Sequence, residues 1–114
     1  MTADDFRKLA LALPQAEERS HMGHPDFRVG GRIFATLAYP GPEWAMVKLF
    51  PDQQQSFCQA DPRAFIPVKG AWRRGGCTNV LLSAAKQKLV REALAAAFEN
   101  AQRAPVRKSR ANKL

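Results

Sequence analysis

Phe27-Arg28-Val29-Gly30-Gly31-Arg32-Ile33-Phe34-Ala35-Thr36-Leu37 decides the fold. Apolar Phe27 and Val29 alternate with Asp26 and Arg28, which is the two-residue period of a strand with one buried face. Gly30-Gly31 then supplies the two positive φ angles that a two-residue hairpin requires. The chain resumes alternation from Arg32 to Tyr39, with Ile33, Ala35, Leu37 and Tyr39 on one face and Phe34, Thr36 and Ala38 on the other. A connection of two residues leaves no room for a helical crossover, so these strands are antiparallel.

Outward from the hairpin, Tyr39-Pro40-Gly41-Pro42-Glu43 reads as a turn. Trp44 to Phe50 follows as a strand, with Ala45, Val47 and Leu49 opposite Trp44, Met46 and Lys48. Pro51 and Asp52 open a short helix to Ala60, and Asp61-Pro62 closes it. Phe65-Ile66-Pro67-Val68 is a short extended piece whose proline suits a sheet edge. Gly70 to Gly76 is a loop holding Trp72, Arg73 and Arg74, and Thr78 to Leu82 is a final strand. At the start, Thr2 caps a helix carrying Asp4 and Asp5 in its first turn and Phe6, Leu9 and Leu13 on one side, which Pro14 ends. At the other end, Ser83 caps a helix with Leu89, Val90, Ala93, Leu94, Ala97, Phe98 and Ala101 along one broad stripe. Glu99 and Arg103 are spaced to pair on its outer side, and Pro105 is expected to end it.

These elements predict an α+β fold of two layers, an antiparallel sheet with helices on one face, in the order α, three to four strands, α, one to two strands, α. The other sheet face is expected to be open to water, with Arg28 and Lys48 sharing it. The 114 residues suffice for one domain, assigned to residues 1–103, with a basic, disordered tail at 104–114.

Charge is unevenly placed. Lysine and arginine number 18 against 10 acids, a net charge of +8. Arg103, Arg107, Lys108, Arg110 and Lys113 fall in the last twelve residues, which hold no acid. The rest of the chain is only mildly basic. A basic terminal arm neutralises phosphates or anionic head groups, or simply solvates the chain end. No apolar run approaches the ~20 residues of a membrane span. Met1 to Asp5 lack the basic and apolar regions of a signal peptide, and two cysteines are too few for a disulfide framework. A cytoplasmic setting with Cys58 and Cys77 as free thiols is therefore expected.

Motifs for chemistry are weak. His21 and His24, three apart, would need Cys58 or Cys77 to complete a metal set, and no paired-cysteine or histidine–glutamate motif supports one. A turn bearing polar histidines is the simpler reading. The Gly30-Gly31 and Gly75-Gly76 pairs lack the strand, spacing and following helix of a phosphate loop. No convergent acid, base and nucleophile set is present, so no enzymatic activity and no cofactor or metal are expected. Trp44 and Trp72 stand next to loop or base-rich sequence, where Trp72-Arg73-Arg74 suits stacking on a base as well as closing a sheet edge.

The run His21-x-x-His24-Pro25-Asp26-Phe27-Arg28-Val29-x-Gly31-Arg32-Ile33-Phe34-Ala35 resembles the signature of the MmcQ/YjbR-like proteins. Val47-Lys48-Leu49, Ile66-Pro67 and Gly70-Ala71-Trp72 continue the resemblance, which spans residues 1 to 102. Met22 and Cys77 depart from it, where aromatic residues are common. The resemblance implies a compact α+β domain similar to frataxin-like and secretion-chaperone-like folds, and DNA binding through a double-wing arrangement without enzymatic activity. Iron binding, which the frataxin likeness would suggest, is not expected, because the ten acids form no ridge. No DNA-contacting residue carries over from the family. Charge and placement instead nominate Arg28, Arg32, Lys48, Arg73, Arg74, Arg107, Lys108, Arg110 and Lys113. A monomer binding nucleic-acid backbone with little sequence preference, and making no membrane contact, is the first expectation. A protein- or peptide-interaction module of chaperone type is the alternative.

Overall fold

The computed structural model describes residues 1–70 and 75–112, with backbone alone for residue 21 and residues 104–112. Its elements are α1 (Ala3–Leu11), β1 (Glu17–His21), β2 (His24–Val29), β3 (Arg32–Leu37), β4 (Trp44–Lys48), α2 (Pro51–Ala60), β5 (Phe65–Pro67), β6 (Cys77–Leu81) and α3 (Gln87–Asn112). The strands form one antiparallel sheet in the order β1-β2-β3-β4-β6-β5. Four strands, a helix, two strands and a helix follow α1, as the residue patterns predict. No described helix is long and apolar enough to cross a membrane.

Both hairpins that build the first three strands turn on two residues with positive φ. Met22 and Gly23 (54° and 83°) join β1 to β2, and Gly30 and Gly31 (59° and 80°) join β2 to β3. That geometry matches the right-handed twist of the flanking strands. The histidine turn is thus a hairpin tip, with residues 21 and 24 paired in the backbone register of the two strands.

All three helices cover the same sheet face. Phe6 of α1 meets Phe27, Phe57 of α2 meets Phe65, and Phe98 of α3 meets Phe34 edge-on at 5.6 Å between ring centres. Val90, Ala93, Leu94 and Ala97 are fully buried along α3, as the stripe predicts. Edge-to-face rings such as Phe34–Phe98 contribute ~0.5–1.5 kcal/mol beyond their burial.

Four details differ from the sequence reading. Strict alternation assigns Phe34 and Ala35 to opposite faces, yet both are buried. The register explains it: Phe27 pairs with Ala35 but Arg28 pairs with Ile33, so β3 carries one extra residue there. This bulge turns Phe34 back into the core. Second, α3 starts at Gln87 rather than after Ser83, because residues 82–85 form turns closed by Ala84 N–H to the Leu81 carbonyl and Ala85 N–H to that of Leu82. Third, α3 continues through Pro105 to Asn112. The alanines, glutamine, arginines and lysine around Pro105 are good helix formers and carry the backbone past the single missing donor. Fourth, among the described residues the ion pair on α3 is Lys88–Glu92 at 3.1 Å, not the expected Glu99–Arg103. Exposed pairs of this kind are worth only tenths of a kcal/mol, too little to fix which one forms.

Candidate nucleic-acid interface

The cross-strand register converts the sheet into rows of side chains on the face without helices. Along β4 the buried Ala45 and Val47 point to the helices, so Trp44, Met46 and Lys48 point away and are half-buried. Met46 pairs with Thr36 and Asn79, Thr36 with Asp26, and Asp26 with Arg19, which makes one row across the sheet. Trp44 pairs with Leu81 in a second row, and Lys48 pairs with Cys77 in a third. Arg28, next to the buried Phe27, lies on this face too, so Arg28 and Lys48 share it as expected.

Their electrostatics differ. Arg28 donates from Nε and Nη2 to the two Asp26 carboxylate oxygens at 2.8 and 3.1 Å. Asp26 is 1% exposed, so this forked pair neutralises a buried charge, and the hydrogen bonds push the guanidinium pKa further up. Arg19 lies 3.7 Å from Glu17, and Arg7 binds both Asp4 and Glu18 at 2.6 and 2.8 Å. Lys48 has no acidic partner among the described residues. Arg32, at the β2–β3 hairpin, has a buried Nε with no hydrogen-bond partner among the described residues.

One end of the sheet collects these uncompensated bases. Lys48 ends β4, Arg32 starts β3, and Cys77 starts β6 beside Lys48. The residues flanking β5 and opening β6 meet here as well, since Val68 N–H donates to the Cys77 carbonyl. Asn100 Nδ2 donates to the Lys48 carbonyl at 3.3 Å and to Gln53 Oε1 at 2.8 Å. That pair of bonds fixes α3 at this end just before its acid-free stretch begins. Arg107, Lys108 and Arg110 lie on the helical backbone that continues from there, while Arg73, Arg74 and Lys113 fall outside the described residues.

The opposite end of the same face is aromatic. Trp44 begins β4, and His24 begins β2 with its ring packed edge-on against Tyr39 at 5.2 Å. Ala38 adopts φ of 65°, bending the chain so that Tyr39 leaves the strand and stands 60% exposed. The alternation along β4 makes Trp44 legible from sequence. His24 and Tyr39 are not, because the backbone bend at Ala38 has no residue signature.

The YjbR family matches residues 11–100. The chain belongs to the YjbR family. A solved structure supports the same fold: the Deinococcus radiodurans protein DR2400, which carries a DUF419 domain, superposes with a TM-score of 0.69 at 23% identity, covering 84% of this chain and 75% of that one. No curated protein matches the sequence. The YjbR match contains the whole sheet, α2 and the first half of α3, whereas α1 meets it only at Leu11 and the acid-free segment from Arg103 lies beyond it. The two cysteines are free and both sit under cover. Burial raises the thiol pKa of each, with the Lys48 charge opposing part of the effect at Cys77, so neither resembles an activated nucleophile.

Proposed function

We propose that this YjbR protein is a binding protein, not an enzyme, and that it binds the phosphate backbone of nucleic acid at the basic end of its sheet. The observation that carries the reading is the placement of unpaired bases at one end of the sheet. Arg7, Arg19, Arg28 and Lys88 are matched by acids at 2.6–3.7 Å, whereas Lys48 and Arg32 have no acidic partner among the described residues and lie at the end toward which the acid-free backbone of α3 continues. Binding of this kind is mostly non-specific and falls steeply with salt, because each neutralised phosphate releases counterion.

The test is a salt series on labelled duplex, comparing the full chain with a variant in which Arg107, Lys108, Arg110 and Lys113 are all replaced by Gln. The variant should flatten the slope of log K against log salt by up to ~0.9 per lost contact, ~3.6 in all. A slope unchanged by the four substitutions would remove α3 from the site. Absence of binding to both duplex and single strands at low salt would end the nucleic-acid reading. The protein-interaction reading would then stand, favoured by Trp44, Met46, Ile33 and Leu81 on the helix-free face and by Ile66, 36% exposed at its edge.

A further inference from the structure

The phosphate reading leaves the helix-free face unexplained, although it is the most distinctive surface of the molecule. Its basic and aromatic ends lie at the two termini of β4: Lys48 and Trp44 are four residues apart, about 13 Å at strand rise. Between them Met46 lies flanked by the polar Thr36 and Asn79, and the face is electrically quiet. The Asp26 carboxylate is buried against Arg28, and Thr36 and Asn79 offer a hydroxyl and an amide that hold no protein partner among the described residues. Tyr39 stands 60% exposed beside His24.

We propose that this face takes a single-stranded nucleic acid, with unpaired bases stacked on Trp44 and Tyr39 and the backbone running to Lys48 and the basic end. The inference rests on the phosphate reading and narrows it. Aromatic rings on a sheet reach bases only when the bases are unpaired, since a duplex hides their faces within its own stack. The charge order also fits: cations where phosphates lie, neutral donors and acceptors where base edges lie. An extended peptide fits less well. The sheet's own strands satisfy their backbone groups, so a peptide lying on the face would find two polar side chains for a whole row of N–H and C=O groups. A nucleotide strand makes no such demand.

The test measures fluorescence anisotropy of a labelled oligothymidylate, an abasic deoxyribose-phosphate strand of equal length and charge, and a duplex. The variants are Trp44→Leu, Trp44→Phe and Tyr39→Ala, each checked by its thermal melt. Thymidylate should bind at least several-fold tighter than the abasic strand. Trp44→Leu and Tyr39→Ala should each weaken it by about 5- to 160-fold, the loss of one stacked base, with the salt slope unchanged. Trp44→Phe should restore most of the affinity, because a ring remains. Should Trp44→Leu fail to fold, the exposed Tyr39 carries the test alone. Equal affinity for thymidylate and the abasic strand, or unchanged binding by folded variants, would overturn the sheet-face proposal and leave phosphate binding intact. Failure of every strand to bind at low salt would remove both.

Discussion

Gly76 is the position where backbone proximity should matter most. It has a φ of 88°, and a Cβ there would meet the Leu49 carbonyl oxygen at 2.0 Å and the carbonyl carbons of Leu49 and Phe50 at 2.7 Å. Ordinary contact begins at 3.4 Å, so the start of β6 and the join of β4 to α2 must separate by about 1.4 Å. One buried bond spans that join: Gln54 Nε2 donates to the Cys77 carbonyl at 2.9 Å. Leaving such groups unsatisfied costs ~1–3 kcal/mol. The left-handed backbone costs a further ~1–2 kcal/mol for any L side chain. Gly76→Ala should therefore destabilise by at least ~2 kcal/mol. Gly31→Ala is the control, with φ of 80° but open space around the new methyl, so only the ~1–2 kcal/mol conformational cost applies. In urea, with a slope of ~1–3 kcal/mol per molar, the Gly76 variant should unfold roughly 1 M earlier than the Gly31 variant. Coincident midpoints would show that the close approach to Leu49 carries no energy, and the argument would fail.

Other outcomes follow from burial and charge. Leu94→Asp places a carboxylate at a fully buried site on α3, and circular dichroism should show loss of the cooperative melt. Arg28→Gln should lower the melting temperature more than Arg19→Gln, because Arg28 neutralises the buried Asp26 while Arg19 faces the exposed Glu17. Burial raises the thiol pKa of Cys58 and Cys77 above the ordinary 9.0, so the folded state holds these protons more tightly than the unfolded chain. Their stabilising contribution should be intact below pH ~9 and fall as pH rises further, a decline that Cys77→Ala should reduce in urea titrations at alkaline pH.

The fold was legible where local chemistry dictates local geometry. Thr2 and Asp5 form a reciprocal cap at α1, Gly30-Gly31 turns the β2–β3 hairpin, and Pro51 opens α2, each at its expected place. Pro67 marks β5, which is indeed an edge. What sequence could not convey were the departures from periodicity. The bulge at Phe34 shifts one residue across the sheet, and alternation alone assigns that residue to the wrong face. For the candidate site, the shared face of Arg28 and Lys48 was readable from alternation. The forked bond that occupies Arg28, and the gathering of Arg32, Lys48 and Asn100 at one end, were not, because they depend on strands far apart in sequence meeting in register.

This partition of charge separates what holds the domain together from what is proposed to bind. The pairs of the body are short-range and mostly exposed, and such pairs add little to stability. The core rests mainly on apolar side chains: Phe6, Phe27, Phe34, Phe65 and Leu94 are each at most 1% exposed, and their burial does not depend on salt. The proposed binding through Lys48, Arg32 and the end of α3 would depend on salt almost entirely. Raising ionic strength should then release nucleic acid while leaving the melting temperature nearly where it was. Melting and binding measured across one salt series would expose any coupling between them. A parallel fall in both would mean that the basic end also supports the fold, and the buried Arg32 Nε would be the first group to suspect.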